Sequence, residues 1–150
     1  MKMRALMLAV VLAASPPAFA HADDTAANKQ IVIDFFTLGF VQHHIRDAFM
    51  KYVDPSYIQH NPIAADGRDN AIAALEPFLN SAPNYSYEIK RVIAEGDLVA
   101  VHGWSHMGPN DRGSAIVDIV RLKNGKIMEH WDVIQAVPDP ATSKNPHPMF

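Results

Sequence analysis

Ser114-Ala-Ile-Val-Asp-Ile-Val-Arg-Leu-Lys123, then Asn124-Gly125, then Lys126-Ile-Met-Glu-His-Trp-Asp-Val-Ile-Gln135 is the stretch that decides the fold of this 150-residue chain. Two β-branched, apolar-rich runs flank an Asn-Gly pair, the strongest short-range signal for a β-hairpin. An acid, Asp118, sits among Ile116, Val117, Ile119 and Val120, where a strand this apolar has a buried face. A carboxylate in that position is paired, protonated or used chemically. The return strand offers His130 and Asp132 as partners.

Register decides which of them meet. A two-residue type I′ loop pairs Lys123 with Lys126 and sets Asp118 opposite Trp131. A turn over Lys123-Asn124 with a left-handed bulge at Gly125 pairs Leu122 with Lys126 and sets Asp118 opposite His130. The bulged register is the expectation, because it gathers Ile116, Asp118, Val120, Met128, His130, Asp132 and Ile134 on one face. Arg121, Glu129 and Gln135 then share the other. An apolar face with one cluster of acids and histidine is the composition of a pocket wall; a structural ion pair is the alternative.

Upstream, residues 1–20 have a basic start (Lys2, Arg4), an apolar run over 5–14 and Ala18-Phe19-Ala20, a small-x-small cleavage pattern. They read as a secretory signal peptide, and the expected location is periplasmic or secreted. No later stretch approaches the roughly 20 apolar residues a bilayer span needs, so no membrane partner is expected after signal removal. The formal net charge is −3, and loss of Lys2 and Arg4 makes it more negative still. That balance gives no footprint for nucleic acid. The chain has no cysteine, which excludes disulfides and thiol chemistry.

The remainder is the length of one domain, expected over 23–137, with a proline-rich tail over 138–150. Ile31, Phe35 and Leu38 recur at helical spacing and predict a helix over about 25–41; a second covers about 45–53. His43 and His44 fall at their joint and are given no role. Asp54-Pro55 breaks the second helix, and 57–62 is extended or a turn. A third helix is expected over about 70–80, capped by Asp69 and kinked or shortened by Pro77. The period then changes to two. Tyr85, Tyr87, Ile89, Arg91 and Ile93 alternate with Ser86, Glu88, Lys90 and Val92, and Leu98, Ala100, His102, Trp104 and His106 line one side of the next strand. Three helices and four or more mainly antiparallel strands make an α+β domain, with a sheet folded over the helices to leave one concave face.

In this order of elements, several motifs carry a resemblance: Tyr57-Ile-Gln-His-Asn-Pro62, Gly67-Arg68, His102 in its strand, Val117-Asp-Ile-Val-Arg-Leu122, and Asn124-Gly-Lys-Ile127 leading to Glu129-His-Trp-Asp-Val-Ile-Gln135. The chain resembles the SnoaL-like polyketide cyclase family of the nuclear-transport-factor-two-like superfamily, over about 26–138. The resemblance implies a cone-shaped domain and a pocket that works without a cofactor, in which a histidine or aspartate moves a proton next to a carbonyl. It puts Asp118 in the acid/base position with His102 as its neighbour.

The candidate catalytic residues are therefore Asp118, His102 and His130, and the candidates for substrate binding are Tyr57, His60, Asn61, Trp104, Trp131 and Asp132. No metal site is expected: His102 and His106 lie about 13 Å apart on one strand, and no nucleophile triad or phosphate loop is legible. The expected ligand is a small hydrophobic carbonyl compound. Two function classes remain: a cyclase-, isomerase- or hydrolyase-like enzyme, and an exported binding domain with the same pocket. A homodimer is expected, because Val117, Ile119 and Val133 make the outer sheet face apolar.

Overall fold

The computed structural model describes residues 22–150, so the signal-peptide reading lies outside the described residues. Three helices precede most of the sheet: α1 (Ala22–Phe36), α2 (Ile45–Tyr52) and α3 (Arg68–Ser81). The helix expected over 25–41 is divided. After Phe36 a π-helical turn (Thr37–Val41) closes with the Gln42 N–H on the Thr37 carbonyl, and His43 takes a left-handed conformation (φ 62°) before α2.

α3 starts two residues before the expected Asn70, with Gly67 rather than Asp69 at its N-terminus, and runs through Pro77 to Ser81 without being cut short. It is the Asp66 carboxylate that accepts the Gly67 and Gln59 N–H groups there. The loop before α3 is thereby tied to the end of a strand.

The strands are β1 (Val53–Gln59), β2 (Ser86–Glu95), β3 (Leu98–His106), β4 (Ser114–Lys123) and β5 (Lys126–Ala136), in the curved, open order β1-β5-β4-β3-β2. Four are antiparallel neighbours, as expected; β1 adds a fifth, parallel to β5. Pro55 explains why that segment does not read as a strand. Proline has no N–H for a ladder, and β1 tolerates it as an edge strand whose pairing is irregular between Val53 and Ile58.

Two bulges correct the expected registers. Asn124 and Gly125 both have positive φ (52° and 72°), and Lys123 pairs with Lys126, so the hairpin closes in the two-residue type I′ loop and is not bulged at Gly125. The extra residue is Met128 instead: Leu122 faces Ile127, Arg121 faces Glu129, and Asp118 faces Asp132 rather than His130 or Trp131. A shift of two residues preserves the face of every side chain beyond the bulge. Asp118, His130 and Asp132 therefore share one face as expected, with Ile127 taking the buried place expected for Met128.

In β2 the shift lies between Ile89 and Arg91. The bulge at Lys90 reverses the alternation, so Val92 and Ala94 turn toward the core and Ile93 is 69% exposed. The core lies between the helices and the concave face. Val32, Phe35, Phe36, Ile45 and Phe49 from the helices meet Val99, Val101, Val120, Leu122 and Ile127 from the sheet.

Candidate functional site

Asp118 lies in mid-β4 on the concave face and is 7% exposed, the buried charged residue of the described chain. One carboxylate oxygen, Oδ2, accepts the Tyr87 hydroxyl at 2.8 Å; the other, Oδ1, is 3.0 Å from His130 Nε2. Tyr87 reaches it from β2, across β3, because residue 103 between them is glycine. A β-carbon there would stand 2.3 Å from the tyrosine oxygen.

The parallel pairing of β1 with β5 sets Gln59 beside His130. Gln59 Oε1 accepts the backbone N–H of Asn61 at 2.9 Å and lies 3.0 Å from His130 Nδ1, while its Nε2 donates to the Tyr57 hydroxyl at 3.0 Å. A backbone N–H only donates, which fixes the orientation of the Gln59 amide. An acceptor facing Nδ1 requires that Nδ1 carry a hydrogen. Nε2, facing a carboxylate, then either carries the second hydrogen or takes one from Asp118. In both cases the Asp118–His130 pair holds one shared proton and no net charge.

Asp132 is directly opposite Asp118 in the ladder, an arrangement that costs energy between like charges. It is held by Asn61, whose Nδ2 lies 2.8 and 2.9 Å from its two oxygens. The one-proton pair beside it removes the repulsion of a second full charge.

These groups line one side of a cavity of about 370 Å³. Its remaining wall is apolar, with Phe35, Phe36, Phe40 and Phe49 from the helical layer and Ile116 and Val120 from β4. The cavity also reaches the loop residues Ile63, Ala64 and Ala65, and Ile63 is 92% exposed. Tyr85 joins Tyr57 and Tyr87 in the lining. Burial, reinforced by the charge of Asp118, pushes the Tyr85 hydroxyl up to about 12 and those of Tyr57 and Tyr87 further above their ordinary value. All three are hydrogen-bond donors at neutral pH.

Of the sequence candidates, Asp118, His130, Tyr57, Asn61 and Asp132 come together in this cavity. His102, Trp104, Trp131 and His60 do not. His102 pairs in register with Val117, on the face opposite Asp118, and its Nδ1 meets Arg91 at 2.9 Å. Trp104 shares that outer face, donates to the Arg112 carbonyl and stacks on Phe150, so the tail lies over the sheet. Trp131 stacks on the His60 ring at 4.5 Å, and His60 Nε2 is 3.6 Å from Glu129. For His102 and Trp104 the physical reason is the identity of the buried side of β3: Val99, Val101 and Gly103 face the core, which turns the aromatic and imidazole side outward. Trp131 pairs with Ile119, between the His130 and Asp132 pairs, and so takes the outer side of β5, where His60 stacks on it. Sequence reasoning missed Gln59, Tyr85 and Tyr87. Gln59 stands inside the quoted Tyr57–Pro62 motif, and Gly103 in a strand was the available signal of a close approach.

Asp118, His130 and Asp132 also offer ligand atoms within 4.8 Å of one another, a set able to hold a metal ion. Coordination through His130 Nε2 would require that atom to leave Asp118, while the Gln59 contact would keep Nδ1 protonated, as an imidazole ligand requires.

Residues 32–130 match the model of the SnoaL-like domain. Among solved structures, the chain is similar to a proposed SnoaL-like polyketide cyclase from Jannaschia sp. CCS1 (22% identity, TM-score 0.64, covering 76% of this chain and 89% of that one). It is similar also to TsrD from Streptomyces laurentii (20%, 0.60, 74% and 90%) and to AclR, a proposed hydroxylase from Streptomyces galilaeus (22%, 0.60, 74% and 90%). At these identities the likeness shows the fold. Among curated proteins none matches this sequence.

Proposed function

The chain belongs to the SnoaL-like domain family, and from that premise we propose that it catalyses a cofactor-independent proton transfer on a small, largely apolar carbonyl compound. The reaction class is a cyclisation, isomerisation or elimination. The observation that carries this reading is the buried Asp118–His130 pair, one proton between them, on the wall of an otherwise aromatic cavity. With the proton on His130, the Asp118 carboxylate accepts a proton from the carbon next to the carbonyl. The Tyr57 and Tyr85 hydroxyls are donors available to the enolate oxygen, the Tyr87 hydrogen being given to Asp118. Returning the proton to another carbon completes an isomerisation and giving it to a leaving oxygen an elimination; in a cyclisation the enolate carbon bonds to a second carbonyl carbon, whose C=O π bond opens and whose oxygen takes the proton. No electron leaves or enters, so the chemistry balances without an oxidant.

A binding domain without turnover is the second reading. It is favoured by the fact that both oxygens of Asp118 already accept a hydrogen bond. A thermal-shift screen of hydrophobic carbonyl compounds, followed by exchange of the acidic proton in deuterated water, separates the two. Asp118→Asn is expected to lower exchange by about two orders of magnitude or more while leaving binding largely intact. Binding without exchange, or exchange unchanged by the substitution, leaves the binding domain as the function.

We also propose that the protein is exported, on the basis of the basic start, apolar run and small-x-small pattern of residues 1–20. The mass of the protein recovered outside the cytoplasm is expected to correspond to cleavage after Ala20 or Ala22. A full-length chain beginning at Met1 contradicts it.

A further inference from the structure

The cavity has a charge that its own walls do not neutralise. The Asp118–His130 pair is neutral as a unit, so the remaining ionised group in the lining is Asp132, whose hydrogen-bond donor is the uncharged amide of Asn61. Among the described residues, no lysine or arginine lines the cavity. The basic side chains in ion pairs are elsewhere: Arg46 with Glu76, Arg68 with Asp69, Lys90 with Glu88, Arg112 with Asp139, and Arg121 with Asp97 and Glu129. The same cavity is lined by the four phenylalanine rings and three neutral tyrosines described above, whose faces attract cations.

We propose that the cavity takes an apolar compound carrying a protonated amine, with the ammonium on Asp132 and the hydrocarbon part against the phenylalanine rings. The inference rests on the reading of this cavity as the substrate site, and it narrows the substrate class. Carboxylates, phosphates and thioesters of phosphate-bearing carriers meet no counter-charge here and are repelled by Asp132. Because the ligating atoms of Asp118, His130 and Asp132 lie within 4.8 Å of one another, the charged nitrogen falls within a few bonds of the carbon whose proton is moved.

The test compares three probes of nearly equal size: 2-phenylethylamine, 2-phenylethanol and phenylacetate, titrated at pH 7 by calorimetry or by chemical-shift change. The amine is expected to bind about tenfold more tightly than the alcohol, and phenylacetate more weakly than either. In Asp132→Asn the preference for amine over alcohol is expected to vanish while the affinity for the alcohol is unchanged, which also reports that the cavity is intact. The alcohol bound as tightly as the amine, phenylacetate bound as tightly as either, or a preference that survives Asp132→Asn overturns the inference and leaves the proton-transfer reading standing. Failure of all three probes to bind at millimolar concentration overturns both.

Discussion

Gly103 is where the site's hydrogen bonding depends on the absence of a single methyl group. In Gly103→Ala the new β-carbon would sit 2.3 Å from the Tyr87 oxygen, so the ring must move away from Asp118. The expected cost is about 1–3 kcal/mol in chemical denaturation, accompanied by loss of Asp118-dependent proton exchange. The ring carbons Cζ and Cε1 would stand at 2.4 and 2.9 Å as well, so Tyr87→Leu in the same background tests the cause: it removes the oxygen and those ring carbons together and should recover part of the stability without the hydrogen bond. Gln59 acts one bond further out. Gln59→Leu removes the acceptor that holds the hydrogen on His130 Nδ1, and nitrogen NMR of His130 is expected to report a changed tautomer, whereas Gln59→Glu retains it. A His130 spectrum indifferent to both substitutions contradicts the tautomer assignment. The grouping of Asp118, His130 and Asp132 was legible in the sequence because it follows from period-two alternation along one hairpin. Gln59 and Tyr87 were not, because they arrive from strands 71 and 31 residues away in sequence, and no local pattern encodes that approach.

The β4–β5 hairpin shows how far a local signal reaches at the scale of an element. Asn-Gly specified a hairpin, but not the form of its loop: the expectation is a bulge at Gly125, and positive φ at both residues makes it the two-residue type I′ loop. The bulge that does occur, at Met128, has no comparable composition signal, and it sets Asp118 opposite Asp132 instead of His130 or Trp131. The same holds for Lys90 in β2, where a bulge turned Ile93 to solvent against a clean alternation. The helices were legible because their apolar spacing is strong. β1 was not, since its pairing is long-range and Pro55 reads as a breaker. The loop itself permits a sharp test. A β-carbon on Gly125 would lie 3.8 Å from Ile31 Cδ1, an ordinary contact, so Gly125→Ala carries a conformational cost alone, expected at about 1–2 kcal/mol. A stability unchanged in denaturant titration would mean that the hairpin closes through some other loop in solution.

On the scale of the whole molecule, burial of three tyrosines couples the fold to alkaline pH. Each hydroxyl is held neutral above the ordinary tyrosine value, so each contributes stability that is complete below about pH 10 and is lost as the pH rises through the folded value, about 12 for Tyr85 and higher for Tyr57 and Tyr87. Tyrosinate absorbance from these rings is expected to appear together with the loss of circular dichroism; ionisation well before unfolding contradicts their burial. The opposite side of the sheet carries a second whole-molecule consequence. Ile93, Ala100, Ile119 and Trp131 form one cross-strand row on the outer face, and Val117 and Val133 extend the next. Ile93 and Val133 are each 69% exposed and Val117 is 37% exposed. The tail reaches this face at Trp104 through Phe150. We propose that a second copy covers them in an isologous dimer, since one row is apolar across four strands and Val117 and Val133 adjoin it, with His102 and Arg91 completing the second row, and a stable dimer needs about 800 Å² from each partner. Light scattering at high micromolar concentration is expected to give twice the chain mass. Val133→Lys, a change at a site exposed in the single chain, is expected to halve that mass while the circular dichroism spectrum is retained. A monomer in the unaltered protein, or a dimer indifferent to a lysine at this position, means that the outer face is not where two copies meet.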